Sequence, residues 1–155
     1  RVELAYDRRE EKEKTEAESE ALAGKRLLLA EDDRLCGEIL CELMEDETGR
    51  PVSITANGRA ALEMFESANG EYDAIIMDVQ MPVMNGYEAA RAIRRSGCGN
   101  AKTVPIIALT ADASEESARS AADSGMNGCL AKPVNIDRLR KAVAAALKSL
   151  SVAYR

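Results

Sequence analysis

Three carboxylates, one hydroxyl and one amine stand out because of where they fall in the chain. Glu31 and Asp32 follow an apolar run at Leu27 to Ala30, Asp78 ends a run at Ala74 to Met77, Thr110 follows Val104 to Leu109, and Lys132 follows Cys129 to Ala131. Each run reads as a buried strand, which puts each polar residue at a strand's C-terminal end. If the strands are parallel, all five side chains collect on one edge of a sheet. Three carboxylates there repel one another and resist ionisation unless a cation neutralises them. A hard divalent ion with oxygen ligands does this, and Mg²⁺ suits carboxylates that leave room for water and a phosphate. Lys132 offers a point charge to phosphoryl oxygens and Thr110 a hydrogen-bond donor. Such a set supports in-line phosphoryl transfer, which depends on positioning and electrostatics.

The elements that must position these residues alternate along the chain. After the strand at Leu27, the residues Leu35, Ile39 and Leu43 give the next segment helical spacing. Val52 to Ala56 reads as a second strand closed by Asn57-Gly58, and Ala61, Leu62 and Phe65 as a short helical face. Tyr87 to Arg95 reads as a helix after the loop from Pro82 to Gly86, and Ser114 to Ser124 as one stopped by Gly125. Asn135 is placed to cap a final helix with apolar positions Ile136, Leu139, Val143 and Leu147. Five strands alternating with helices imply an α/β fold, a doubly wound parallel sheet covered on both faces. Right-handed crossovers then bring every C-terminal strand end to the same edge, where ligands bind in open sheets. The Lys132-Pro133 bond is expected to be cis, since a tight turn would aim the lysine inward.

Bulk properties narrow the function further. The 155 residues carry a net charge of −6, with no basic excess for nucleic acid to bind. No apolar run approaches the roughly 20 residues that cross a bilayer, so membrane contact by this domain is not expected. Four cysteines (Cys36, Cys41, Cys98, Cys129) show no CxxC pairing and read as residues of a reduced cytoplasmic protein. The absence of histidine is the sharper fact. If phosphorus passes through an imidazole, another protein or domain must supply it.

Residues 1–23 differ in character, with five basic and eight acidic side chains and no apolar stripe. They read as a charged linker or helical arm ahead of a domain over residues 24–150, with a tail over 151–155.

Four motifs now carry a resemblance. LLLAEDD from Leu27, MDVQMPVMNG from Met77, PIIALTA from Pro105 and LAKP from Leu130 resemble, in order and interval, the receiver domains of bacterial response regulators. The stretches PIIALTADA and GMNGCLAKPVN look most like receivers attached to hybrid sensor histidine kinases. The resemblance implies a flavodoxin-like fold with strand order 2-1-3-4-5. It implies that Asp78 is the phosphorylated aspartate, attacking a phosphohistidine on a sensor histidine kinase or a histidine phosphotransfer protein. It further implies that Glu31 and Asp32 hold Mg²⁺ with Asp78 and the backbone carbonyl of Gln80, that Thr110 shifts toward the phosphoryl group, and that Lys132 is the family's lysine. Asp33 fits better as a helix N-cap than as a ligand, and Asn85 and Gly86 fit structural roles. Gln80 and Asp112, two residues after Asp78 and Thr110, are expected to tune access of water to the acyl phosphate.

Two positions depart from the pattern. Glu31 stands where Asp is also common, and its longer reach should retain the metal. Cys129 stands three residues before the lysine, where the family usually has Tyr or Phe. The chemistry is therefore expected to be intact and the aromatic part of the switch altered. A phosphatase with an aspartate nucleophile would want a second acid at position 80, which is Gln. The remaining alternatives are a fragment of a hybrid histidine kinase, which the motifs and the start without methionine favour, and a stand-alone regulator.

Overall fold

The computed structural model describes residues 2–153. Its centre is a parallel sheet of β1 (Leu27–Ala30), β2 (Ser53–Thr55), β3 (Ala74–Asp78), β4 (Ile106–Thr110) and β5 (Gly128–Ala131). The strands lie in the order β2-β1-β3-β4-β5, as expected. Between them run α2 (Arg34–Thr48), α3 (Gly58–Ser67), α4 (Gly86–Arg95) and α5 (Glu115–Asp123), with α1 (Val2–Leu22) before the sheet and α6 (Ile136–Ala153) after it.

The strands are near-continuous apolar runs because both faces are covered. Alternate residues go to opposite sides. Leu28, Ala30, Ile75, Met77, Ile106 and Ala108 pack with Ala61 and Phe65 of α3, Ala89, Ala90 and Ile93 of α4 and Ala121 of α5. Leu27, Leu29, Ala74, Ile76, Ile107 and Leu109 pack with Leu40 and Met44 of α2 and Leu139, Val143 and Ala144 of α6. Helix starts follow the expected capping chemistry. Asp33, Asn57, Asn85 and Ser114 accept from the amides of Cys36, Ala60, Glu88 and Ser117, and Asn135 accepts from those of Asp137 and Arg138.

Three readings change. The stripe that gave α2 its spacing is not the one the sheet buries: Leu35 and Ile39 are 68% and 49% exposed, while Gly37, Leu40, Met44 and Thr48 face the sheet. β4 starts at Ile106 and not at Val104, because Pro105 has no amide for a ladder and contributes only its carbonyl, to Ile75. The stretch read as a tail begins within α6, which continues to Ala153, and residues 154–155 lie outside the described part.

The arm also differs from a free linker. It is one helix, α1, and although its middle is exposed it ends in the core. Leu22 is fully buried among Leu27, Leu40, Met44 and Leu139, and the amide of Gly24 donates to the carbonyl of Thr48 at 2.7 Å.

Gly86, the first residue of α4, lies directly against the peptide that carries Asp78. A Cβ at this position would collide with the carbonyl oxygen of Asp78 and the Cα of Val79. The Gly86 amide donates to the carbonyl of Val79 at 2.8 Å, which fixes the turn between β3 and the loop before α4.

Candidate functional site

Strand register brings the chemistry together. Ala30 pairs with Met77, Asp78 with Leu109 and Thr110 with Ala131, so Glu31, Asp78, Thr110 and Lys132 follow one another across the C-terminal edge. Main-chain hydrogen bonds carry the alignment past the strands, from Glu31 N to Thr55 O at 3.0 Å, Val79 N to Leu109 O at 2.9 Å and Lys132 N to Thr110 O at 2.7 Å.

Glu31 and Asp78 are buried, at 3% and 4% exposure, whereas Asp32 is exposed at the mouth. Carboxylate oxygens of the three lie within 4.8 Å of one another. Lys132 Nζ reaches into the group, 2.8 Å from Glu31 Oε2 and 2.8 Å from Asp78 Oδ2. Backbone amides hold the other oxygens: Asp33 N donates to Glu31 Oε1 at 3.0 Å and Gln80 N to Asp78 Oδ1 at 3.2 Å. Glu31 Oε2 is buried without a well-aligned hydrogen bond, even though the ammonium is close.

The electrostatics follow from this crowding. Burial raises the pKa of Glu31; the contact with Lys132 and the Asp33 amide oppose that rise, and the charge of Asp78 adds to it. For Lys132, burial disfavours the ammonium, but the hydrogen bond to Asp78 and the close carboxylates of Asp78 and Glu31 outweigh it and the pKa goes up. Three carboxylates share one ammonium, and the buried Oε2 still lacks an aligned donor. A divalent cation with oxygen ligands fits that deficit.

The expected switch residues lie beside this group. The Thr110 hydroxyl donates to the carbonyl of Asp112 at 3.1 Å and accepts from the Asp112 amide at 3.3 Å. It is therefore engaged in its own turn and not hydrogen-bonded to Asp78 or Lys132. Cys129 is half-buried on the sheet face that Thr110 also uses, two register positions away. Burial, with a contribution from Asp112, pushes its thiol pKa up, which disfavours the reactive thiolate. Gln80 is exposed and lines an open cleft with Asp32, Met81, Pro82, Asn85 and Tyr87. The Lys132-Pro133 bond is cis, as expected.

Sequence reading missed the direct contact of Glu31 with Lys132. The signal was available: Glu is one methylene longer than Asp and can reach past the strand end. It also missed the cleft beside the site, in which Cys36, Ile39, Leu40, Pro133 and Val134 surround Glu31 and Lys132.

Comparison with known proteins now bears on this geometry. Residues 27–144 match the family of the response regulator receiver domain. A probable histidine kinase 2 of Oryza sativa subsp. indica is 36% identical over 142 residues, which cover 84% of this chain and 13% of that protein. Hybrid signal transduction histidine kinase I of Dictyostelium discoideum is 32% identical over 113 residues, 71% of this chain and 6% of that protein. The chain thus spans a small part of the curated relatives it matches. Among solved structures, the magnesium-bound receiver domain of the sensor histidine kinase PA1611 from Pseudomonas aeruginosa PAO1 is 37% identical with a TM-score of 0.67, covering 81% of this chain and 99% of that one. Chemotaxis protein CheY4 of Vibrio cholerae is 32% identical with a TM-score of 0.72, covering 80% and 99%. Sequence family, strand order and kinase relatives agree: the chain belongs to the response regulator receiver domains, the phosphoacceptor modules of two-component phosphorelays.

Proposed function

We propose that Asp78 is the phosphoacceptor and that Glu31, Asp32 and Asp78, with the backbone carbonyl of Gln80, hold Mg²⁺ beside it. The observation that carries this reading is the buried Asp78 carboxylate, with two further acids within 4.8 Å and the Lys132 ammonium at 2.8 Å. A carboxylate oxygen of Asp78 attacks phosphorus. The P–N bond to the donor imidazole breaks, and its electron pair returns to the nitrogen. Mg²⁺, when bound, offsets charge on the phosphoryl oxygens. Lys132 supplies a second positive charge, and the Gln80 amide holds Oδ1 so that the nucleophile keeps one orientation. Thr110 is poised to exchange the Asp112 carbonyl for a phosphoryl oxygen. Cys129 has no ring to follow that movement, so this part of the response differs from receivers with an aromatic there. Gln80 and Asp112 tune hydrolysis of the acyl phosphate.

The donor is a phosphohistidine on a histidine kinase or a phosphotransfer protein, because this chain has no histidine of its own. The exposed Leu35 and Ile39, on the helix that follows the acidic pair, offer apolar area for such a partner. The kinase relatives favour a receiver within a hybrid histidine kinase over a stand-alone regulator. No helix among the described residues is long and apolar enough to cross a membrane.

The test is incubation with Mg²⁺ and a small phosphodonor, followed by intact mass measurement. The chain should gain one phosphoryl group, and Asp78→Asn should gain none. Equal uptake by the variant would refute the assignment.

A further inference from the structure

Helix α1 lies before the residues that match the family, and its attachment is unusual. From Arg8 to Ala17 its side chains are exposed, and no apolar stripe turns toward the domain. Among the side chains described, its apolar anchoring lies in the last turn, where Leu22 is buried and Ala21 packs on the same core. Along the rest, Glu11, Lys14, Thr15 and Glu18 face Asp137, Arg138, Arg140 and Lys141 of α6 across a cleft of about 300 Å³. Arg140 is buried, but the other charges are exposed or half-buried, and contacts among charges of that kind are individually weak and screened by salt. One polar bond ties the helix in: Ser19 Oγ donates to Glu47 Oε2 at 3.2 Å.

Glu47 is not an isolated acceptor. Its other oxygen, Oε1, accepts from Arg140 Nε at 3.0 Å, and Arg140 Nη1 donates to Asp137 Oδ1 at 2.9 Å. The amide of Asp137 in turn donates to Asn135 Oδ1 at 2.8 Å. Asn135 lies three residues after Lys132, with only Val134 between the Lys132-Pro133 turn and the cap of α6. An unbroken chain of hydrogen bonds and backbone therefore joins the ammonium of the acidic site to Ser19 of α1.

We infer that α1 is a latch whose docking on α6 is coupled to the state of the acidic site, so that filling the site loosens α1. The inference rests on Asp78 being the phosphoacceptor. In the structure Lys132 divides itself between Glu31 and Asp78. A phosphoryl group on Asp78 brings new oxygens for the ammonium, so the turn at residues 132–135 shifts. The cap of α6 moves with it, Arg140 changes its hold on Glu47, and Ser19 loses its partner. A helix whose described apolar contacts are confined to Ala21 and Leu22, with exposed charges along Arg8 to Ala17, is the element able to respond. Linkage makes the coupling reciprocal: releasing α1 strengthens binding at the site by the same factor.

Hydrogen exchange on the full chain tests this, with beryllofluoride and Mg²⁺ as the non-covalent phosphoryl mimic and amide shifts around Asp78 reporting its binding. Amides of residues 11–20 should exchange about fivefold faster or more once the mimic is bound, while those of β3 and β4 stay protected. Glu47→Gln, which touches no residue of the site, should leave α1 loose with or without the mimic and should bind the mimic more tightly. Ser19→Ala should do the same more weakly, and it serves if Glu47→Gln fails to fold. Unchanged or slower exchange in α1, with shifts around Asp78 showing the mimic bound, would overturn the coupling. A chain that never takes up the mimic would overturn the phosphoacceptor reading first, and the coupling with it.

Discussion

Two cations, eight residues apart in sequence, each hold two carboxylates. Lys132 lies 2.8 Å from Glu31 and 2.8 Å from Asp78; Arg140 lies 3.0 Å from Glu47 and 2.9 Å from Asp137. Around Arg140 the bonding is complete. Asp137 is 75% exposed, and the second oxygen of Glu47 takes the Ser19 hydroxyl. Around Lys132 it is incomplete. A third acid, Asp32, stands nearby, and Glu31 Oε2 is buried without an aligned donor. A satisfied cluster fixes helices in place. One with surplus negative charge leaves a deficit that a cation would fill. Counting ion pairs would have ranked the two as equals; what each leaves unsatisfied separates them.

That contrast can be broken by experiment. Arg140→Ala should cost about 3 kcal/mol of stability, because Glu47 is left in a mostly buried place without its cation. Its denaturation midpoint should fall by the same amount with and without Mg²⁺, because the metal alone brings no phosphoryl oxygens to Lys132 and so leaves the link to α1 as it is. Lys132→Ala should cost about 2 kcal/mol without metal, less than for a fully enclosed pair because water reaches the lysine. Saturating Mg²⁺ should restore at least half of that loss, since a cation again faces Glu31 and Asp78. If Mg²⁺ rescues Arg140→Ala, or fails to rescue Lys132→Ala, the distinction between the clusters fails. Asp32→Asn should do least to the fold, within about 0.5 kcal/mol. It should nevertheless weaken Mg²⁺ binding about tenfold, as titration calorimetry would read it.

The same contrast governs what could be read from the sequence. The acidic edge was legible because it obeys a topological rule. Buried parallel strands are continuous apolar runs, and the residue after each run must lie on one edge. That places Glu31, Asp78, Thr110 and Lys132 without knowledge of packing. The flank built by α1, α2 and α6 follows no such rule. α2 carries two apolar stripes, and helical periodicity cannot say which of them meets the sheet. The clue was Gly37, three residues before Leu40 and seven before Met44, where a Cβ would press on Ile54. Leu22 is a single apolar residue at the end of a charged helix, too little for any periodic signal, yet it is fully buried. Arg140 and Glu47 lie 93 residues apart, and nothing local to either announces the pair.

Gly86 performs no chemistry, yet it limits which sequences can keep this site. Because its backbone rests on the peptide that bears the proposed phosphoacceptor Asp78, even a methyl group at position 86 must push that peptide aside or lift the start of α4. Either displacement would move the Asp78 carboxylate relative to Glu31 and Lys132, on a scale that transfer chemistry does not forgive. A search for inactive variants confined to ionisable residues would therefore overlook a position whose whole contribution is the space it leaves empty.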